Sequence, residues 1–107
     1  MKAWDVMAME VAPHRPEVLV STDEGRAIVI ALRSGEELGD HEVHERAWVL
    51  VTRGRVEARN GDGGVAQAVP GTLFAFEPRE RRELRAVEDS QLLMLLTPWP
   101  GADRNMG

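Results

Sequence analysis

The distribution of hydrophobic and polar residues along the chain predicts an all-β protein. Short apolar or alternating runs are separated by turn residues such as Ser34-Gly35, Arg53-Gly54 and Pro70-Gly71. Seven runs have this character: residues 27–32, 47–52, 55–59, 65–69, 73–76, 82–86 and 91–96. Runs of this length and spacing are typical of antiparallel strands in a sandwich or barrel. Only Asp5 to Glu10 has a pattern that predicts a helical turn, with Asp5 as its cap.

The length of 107 residues predicts one domain that spans the whole chain. We expect its core within about residues 26–97, because the predicted strands lie there. The N-terminal segment 1–25 and the C-terminal tail 98–107 are predicted to be peripheral. The tail contains prolines and glycines and ends beyond the last predicted strand, so it is expected to fray after Gly101.

Composition and charge exclude several classes of function. The 13 Lys and Arg residues against 18 Asp and Glu residues give a net charge of −5, with no basic stripe for a phosphate backbone, so no nucleic-acid partner is expected. The absence of cysteine excludes disulfides, thiolate metal sites and a cysteine nucleophile, and it fits a reducing compartment. No run approaches the roughly 20 apolar residues of a membrane span, and the N-terminus lacks the apolar stretch of a signal peptide. These features predict a cytoplasmic protein with no membrane partner.

Two spaced motifs between Gly35 and Ala86 resemble those of the cupin superfamily. The first motif of cupins runs glycine, five residues, His-x-His, a glutamate and a closing glycine; here Gly35 is followed by five residues and His41, and Gly54 stands at the closing position. The second motif has a glycine turn, a strand, a proline turn and a histidine; here the segment 70–78 supplies the two turns and the strand between them. The resemblance implies a single-domain double-stranded β-helix, or jelly-roll barrel. It covers about half of the chain.

The same resemblance implies a damaged metal site. In metal-binding cupins, the two histidines of the first motif, its glutamate and the histidine of the second motif coordinate a divalent ion. The matching positions of this chain hold His41, Val43, Ala47 and Arg82. Valine and alanine have no donor atoms, and a charged guanidinium repels a cation. The standard cupin metal centre is therefore not expected.

His44 supports a second possibility. If the strand is regular from residue 41, His41 and Glu45 face the interior and His44 faces outward. A β-bulge between residues 41 and 44 would turn His44 inward. Two imidazoles and a carboxylate from His41, His44 and Glu45 would then suit a divalent transition metal. This alternative implies a metal-dependent enzyme, similar to the dioxygenases and isomerases among cupins.

The other interpretation is a metal-free polar pocket. Arg82 shares a strand face with Leu84 and Ala86, which predicts that it points into the barrel toward Glu45, with His41 beside the pair. A buried arginine needs a partner, which could be Glu45 or an anionic ligand bearing a carboxylate or phosphate. The predicted ligand pocket comprises His41, Val43, Glu45, Ala47, Phe74, Phe76 and Arg82. An internal salt bridge that binds nothing is the alternative, and the sequence does not decide whether the protein is an enzyme.

Trp48 and Leu50 are predicted to face outward, because residues 47, 49 and 51 are expected to face inward. Two large apolar side chains on an outer face need cover. A homodimer would cover them, as in many cupins, and so would the N-terminal segment through Val6, Met7 and Met9. The sequence thus leaves three kinds of function open: a small-molecule-binding cupin without metal, a metal-dependent cupin enzyme, and a module for dimerisation or interaction.

Overall fold

The chain consists of strands and loops in the part described by the structure, a computed structural model that covers residues 1–41 and 45–98. For residues 39–41 the backbone alone is described. Nine strands lie in these two ranges: β1 Glu17–Thr22, β2 Gly25–Leu32, β3 Glu37–His41, β4 Arg46–Arg53, β5 Val56–Asn60, β6 Val65–Ala68, β7 Leu73–Phe76, β8 Arg82–Ala86 and β9 Ser90–Thr97. The prediction of an all-β fold is confirmed. Nowhere in these ranges is there a helix with the length and hydrophobicity needed to cross a membrane.

The strands form two antiparallel sheets. One sheet has five strands in the order β1-β2-β9-β4-β7, and the other has four in the order β3-β8-β5-β6. Several hydrogen-bonded neighbours are distant in sequence, since β2 and β4 both pair with β9, and β3 pairs with β8. This pairing of early strands with late ones fits a jelly roll, in which each sheet combines strands from both halves of the chain.

The core lies between the two sheets. On β4, Ala47, Val49 and Val51 are fully buried, while Trp48 and Leu50 on the other face are half-buried. On β8, Leu84 and Ala86 are fully buried. The inner faces meet in one cluster of buried apolar residues: Ile28, Leu32, Ala47, Val49, Val51, Val56, Ala58, Ala68, Phe76, Leu84, Ala86, Leu92, Met94 and Leu96. Because successive side chains of a strand point to opposite faces of the sheet, it is alternate residues of the strands that enter this cluster.

Two strands, β1 and β3, are absent from the sequence prediction. β1 lies at the edge of the five-stranded sheet, where most of its side chains are exposed. β3 is an edge strand of the other sheet and contains charged residues and a glycine. Neither strand has a strong apolar pattern of its own. Hydrogen bonding to β2 holds β1 in place, and hydrogen bonding to β8 holds β3 in place.

The N-terminal segment crosses the outer side of the five-stranded sheet. The predicted helical turn at Asp5 to Glu10 is a single hydrogen-bonded turn, in which the Ala8 amide donates to the Asp5 carbonyl at 3.0 Å. The buried carboxamide of Gln91 then holds the segment on both sides: its Oε1 accepts from the Val11 amide at 3.1 Å, and its Nε2 donates to the Met9 carbonyl at 3.0 Å. The N-terminal segment therefore covers one end of the outer face, near the start of β9.

Candidate functional site

Arg82 occupies the centre of the candidate site, on the inner face of β8. Its side chain is only 4% exposed. In the strand register, Arg82 stands opposite His41 on β3 and opposite Asn60 on β5. The guanidinium carbon lies 5.4 Å from the centre of the Phe76 ring, within the range of a cation–π interaction. The sheet architecture thus brings a cation into the barrel and places it on an aromatic face.

Glu45 supplies the opposite charge. It immediately precedes β4 in the other sheet, and it is also only 4% exposed. Arg82 and Glu45 form no direct salt bridge. Among residues 1–41 and 45–98, no group is hydrogen-bonded to Nη1 of Arg82 or to Oε2 of Glu45. Because buried charged groups normally have hydrogen-bond partners, these two atoms are exceptions among the described residues, and neither is accessible to solvent in the folded protein.

The pKa of Arg82 reflects both its burial and the carboxylates near it. Burial lowers the pKa of Arg82 below the ordinary value of a guanidinium, whereas the negative charges of Glu45 and Glu80 raise it and offset part of that effect. A guanidinium titrates far above neutrality, so Arg82 remains a cation in the barrel. The site therefore combines a buried positive charge with two nearby carboxylates.

A cavity of about 290 Å³ lies beside Phe76. Its wall consists of the β5–β6 hairpin, part of β7 and Glu80, with the lining residues Ala58, Arg59, Asn60, Gly64, Val65, Ala66, Phe74, Ala75, Phe76 and Glu80. Phe74 and Phe76 are stacked, with ring centres 5.9 Å apart. Phe76 contacts Arg82 and also lines the cavity, so the ring lies between the buried cation and an accessible space. We call Glu45, Arg82 and Phe76 the charged site.

A larger groove of about 580 Å³ lies elsewhere, between the N-terminal segment and the start of β9. Two of its charged side chains have partners within the protein: Arg53 donates to the Met7 carbonyl at 3.0 Å, and Asp89 accepts from the Ser34 amide at 2.9 Å. The groove is larger than the cavity beside Phe76, but among the described residues it contains no buried charged atom without a partner. The charged site is therefore the better candidate.

The predicted pocket residues fall into three groups. Glu45, Phe76 and Arg82 belong to the charged site, and Phe74 lines the adjoining cavity. Ala47 is fully buried in the core, next to Phe76 in the register of β4 and β7. His41 is described by its backbone alone, at the end of β3, and Val43 and His44 lie outside the described residues.

The strand pairing places His41 and Glu45 differently from the sequence prediction, in which a regular strand over residues 41 to 47 puts both on a single face. Instead, β3 ends at His41 in the four-stranded sheet, and β4 begins at Arg46 in the five-stranded sheet. The register also shifts between Leu38 and His41. The proposed bulge between residues 41 and 44 itself lies outside the described residues.

Sequence reasoning missed two residues of the site region, Glu80 and Asn60. Glu80 lies in the loop before β8, and Asn60 ends β5 beside Arg82. Both look like ordinary turn residues in the sequence. The pairing of β5 with β8 places Asn60 opposite Arg82, and the negative charge of Glu80 acts on the buried guanidinium.

Comparison with solved structures identifies the architecture. An RmlC-like cupin from Desulfovibrio desulfuricans has a TM-score of 0.80 at 18% identity, over 92% of this chain and 97% of that chain. The chain has the cupin fold. KdgF from a Halomonas species is similar at a TM-score of 0.76 and 20% identity, over 87% of this chain and 88% of that chain. The DMSP lyase DddQ from Ruegeria pomeroyi has a TM-score of 0.71 at 15% identity, over 77% of this chain and 45% of that chain.

These structural similarities show a shared fold, and a fold alone does not assign a function. No protein-family model matches the sequence, and the search of curated proteins finds no significant match. The predicted resemblance to cupins is therefore confirmed as a cupin fold.

The described residues do not fit the standard metal centre of a cupin. Ala47 stands at the position of the glutamate ligand and has no donor atom, and it is fully buried. Arg82 stands at the position of the last histidine, and its buried guanidinium is a cation that cannot coordinate a metal. Among the residues whose side chains are described, no group of three potential ligands comes together. A metal held by His41, His44 and Glu45 stays a prediction, because two of its three side chains lie outside that description.

Proposed function

We propose that this cupin-fold protein binds a small organic molecule inside the barrel, through Arg82 and Glu45 and without the standard cupin metal centre. The proposal is carried by two atoms without hydrogen-bond partners among the described residues, Nη1 of Arg82 and Oε2 of Glu45. Both residues are only 4% exposed. A ligand that bonds to both atoms would recover hydrogen bonds that folding alone leaves unmade.

A cavity that shares Phe76 with the charged site, but that neither Arg82 nor Glu45 lines, offers accessible space beside it. Ligand pockets usually combine apolar and aromatic walls with a few convergent polar groups. Phe74 and Phe76 supply the aromatic wall, and the cavity of about 290 Å³ is close to the lower limit of about 300 Å³ for such pockets. The expected ligand is therefore small. The proposal does not require catalysis. We also propose a cytoplasmic location, which the absence of cysteine supports.

An NMR screen of the ¹⁵N-labelled protein tests this function. We expect fragments that bind to shift the Arg82 side-chain signal together with the amide signals of Asn60 and Phe76. Arg82→Met should weaken binding at least about thirtyfold, since loss of a buried charged partner costs 2 kcal/mol or more. Arg46→Met is the control, because Arg46 is 42% exposed and is paired with Glu77 at 2.7 Å. Shifts confined to the groove near Arg33 and Arg53, with Arg82 unaffected, would contradict the proposal.

We also propose that the protein forms a homodimer through the outer side of the five-stranded sheet. Two cross-strand rows of apolar residues lie there: Val29, Leu93, Leu50 and Leu73 in one, and Ala27, Leu95, Trp48 and Ala75 in the other. We call these eight residues the outer apolar face. Leu73 is 59% exposed and Leu95 is 38% exposed, so part of this face remains uncovered in the single chain. An isologous contact would let two copies cover this face with the same surface.

Sedimentation equilibrium tests the dimer. We expect the wild-type protein to be a dimer at micromolar concentration and Leu95→Glu to be a monomer, because the new carboxylate would be buried without a partner. Val87→Glu introduces the same charge at a site that is 41% exposed and outside the outer apolar face, so it should remain dimeric. A monomeric wild type at micromolar concentration would contradict the dimer.

A further inference from the structure

We propose that the seam between β6 and β7 binds an extended, uncharged peptide segment of another protein, which adds a strand to the free edge of β7. The seam consists of two edge strands, Val65–Ala68 and Leu73–Phe76, and the space between them. This inference goes beyond the proposed small-molecule function, because the peptide pairs with the backbone of β7 and needs no contact with Arg82 or Glu45.

Both strands of the seam are sheet edges. β6 is the last strand of the four-stranded sheet and β7 is the last strand of the five-stranded sheet, and they follow one another in the chain without pairing. β6 pairs with β5, and β7 pairs with β4. Each therefore has one side along which no described strand lies, and a strand edge of this kind is a template for pairing with another chain.

The ladder between β4 and β7 shows which backbone groups point to the free side. The Val51 amide donates to the Thr72 carbonyl at 3.0 Å. In an antiparallel pair, hydrogen-bonded and non-hydrogen-bonded positions alternate along the ladder. Phe74, two residues after Thr72, therefore bonds to β4, while the amide and carbonyl groups of Leu73 and Ala75 point away from β4. A peptide strand can pair with these four groups.

The other two sheet edges carry protection that β6 and β7 lack. β1 and β3 each begin with a glutamate, and each has a shift in register against its neighbour. Charged residues and bulges are devices that keep edge strands from pairing with other chains. β6 and β7 pair with their neighbours in unbroken register, and residues 63–76, which include both strands, contain no charged residue in a chain that is 29% charged. The edges without these devices are the ones suited to a partner strand.

Apolar side chains and an apolar cavity lie along the same seam. Val65, Val69 and Leu73 are each more than half exposed. The cavity of about 290 Å³ lies between the strands, and its lining includes Ala66 of β6 and Phe74 of β7. Because successive side chains of a strand point to opposite faces, a peptide paired with β7 places every second side chain toward this cavity. The seam thus offers main-chain partners and a pocket for alternate side chains, as recognition by strand addition requires.

The charges near the cavity favour an uncharged occupant. Arg59 in the wall is paired with Glu57 at 3.0 Å, and the negative charge of Glu80 acts on the buried Arg82. A charged side chain of the peptide would leave water for a pocket whose charged groups already have opposite charges near them, and its desolvation would be poorly compensated. A peptide of apolar and neutral polar residues matches the seam better.

A second copy of this chain fits the seam less well than a separate peptide. If β7 paired with β7 of another copy, the inward-facing Phe74 and Phe76 of that copy would stay within their own barrel, where they pack on the core. The cavity between β6 and β7 would then remain unfilled. A separate extended segment can place an apolar side chain in the cavity and so bury additional apolar surface.

Selection from a phage-displayed library of random linear heptapeptides, with the full chain as bait, tests the inference. We expect enrichment of sequences that lack charged residues and have apolar residues at alternate positions. A synthetic form of an enriched heptapeptide, followed by fluorescence anisotropy, should bind Ala75→Pro at least tenfold more weakly than the wild type. Proline removes the amide donor on the free side of β7, and its ring obstructs the edge, while the bonds of Phe74 to β4 remain.

Val65→Lys and Val18→Lys form a matched pair of control variants. Each replaces an exposed valine of an edge strand with lysine, the first at the seam and the second on β1. Val65→Lys should weaken binding of the heptapeptide at least tenfold, because a charge on an edge strand opposes pairing, and Val18→Lys should leave it unchanged within twofold. Melting curves show which variants are folded, and this pair keeps the test decisive if Ala75→Pro does not fold.

Three results would overturn the inference. The first is a selection that enriches no peptide, and the second is an enriched peptide that binds Val65→Lys as tightly as the wild type. The third is a selection without enrichment in which Ala75→Pro converts a wild-type dimer to a monomer in sedimentation equilibrium, which would assign the edge of β7 to a second copy of the chain. The NMR screen at Arg82 reads the small-molecule proposal separately, so either proposal can fail while the other stands.

Discussion

Replacing Glu45 and Arg82 together by methionine is expected to leave the free energy of unfolding at or above its wild-type value, whereas either single replacement should lower it by about 3 kcal/mol. Each single change leaves one buried charge without the opposite charge that offsets its desolvation. The double change removes both charges and puts apolar side chains of similar size into the barrel. Urea denaturation of the four proteins measures the complete cycle.

This result would mark the pair as a functional feature rather than a stabilising one. A buried charged pair whose joint replacement does not weaken the fold is not needed for stability, which fits a role in binding. The control cycle uses Arg46→Met and Glu77→Met, whose side chains are 42% and 68% exposed; such pairs contribute about 0–1 kcal/mol. Additive losses of about 3 kcal/mol each in the double mutant would show that the two buried charges do not compensate each other, and would contradict the charged site.

The change Gly54→Ala is expected to lower the free energy of unfolding by about 4 kcal/mol, which combines about 1–2 kcal/mol for a left-handed backbone with about 1–3 kcal/mol for overpacking. Gly54 has a φ of 79°, and an added Cβ would overlap the Asp89 carbonyl oxygen and the Ser90 hydroxyl. That hydroxyl accepts from the Arg55 amide at 3.0 Å and bonds the Glu88 carbonyl at 2.7 Å. The alanine would therefore disturb the junction between the end of β4 and the start of β9.

Gly35→Ala provides the matched control for this prediction. Gly35 also has a positive φ, of 87°, but an added Cβ would meet no atom within 4 Å. Its replacement should cost only the backbone part, about 1–2 kcal/mol. Equal losses in the two variants, measured by urea denaturation, would show that the close approach to Asp89 and Ser90 is not what requires glycine at position 54.

Much of the fold could be predicted from the sequence, because alternation and turns are local signals. The buried side of β4 and β8 follows from the period of two, which places Val49, Val51 and Leu84 in the core. The resemblance of the segment from Gly35 to Gly54 to the first cupin motif also implies the cupin fold without any knowledge of contacts. β1 and β3 give weaker signals: both are edge strands, β1 has apolar residues only at positions 18–20, and β3 has only Leu38, so pairing with their neighbours helps to position them.

The candidate site could be predicted only in part. Periodicity shows that Arg82 faces inward, but not that it lies over Phe76 or opposite Asn60, since those contacts depend on how distant strands pair. That β3, which contains His41, and β4, which follows Glu45, belong to different sheets could not be predicted for the same reason. Gln91 was also missed as an anchor of the N-terminal segment, because the start of an apolar strand does not show that its amide will bind Val11 and Met9.

The metal alternative and the ligand proposal predict different masses for the native protein. Native mass spectrometry of protein purified without chelators or a histidine tag, with Arg82→Met measured beside the wild type, therefore tests the central claim most directly. We predict that the wild-type protein carries a small organic molecule, that this adduct is absent from Arg82→Met, and that neither protein carries a stoichiometric metal. One transition-metal ion per chain, retained in Arg82→Met and lost when His41 or His44 is changed to alanine, would contradict the account.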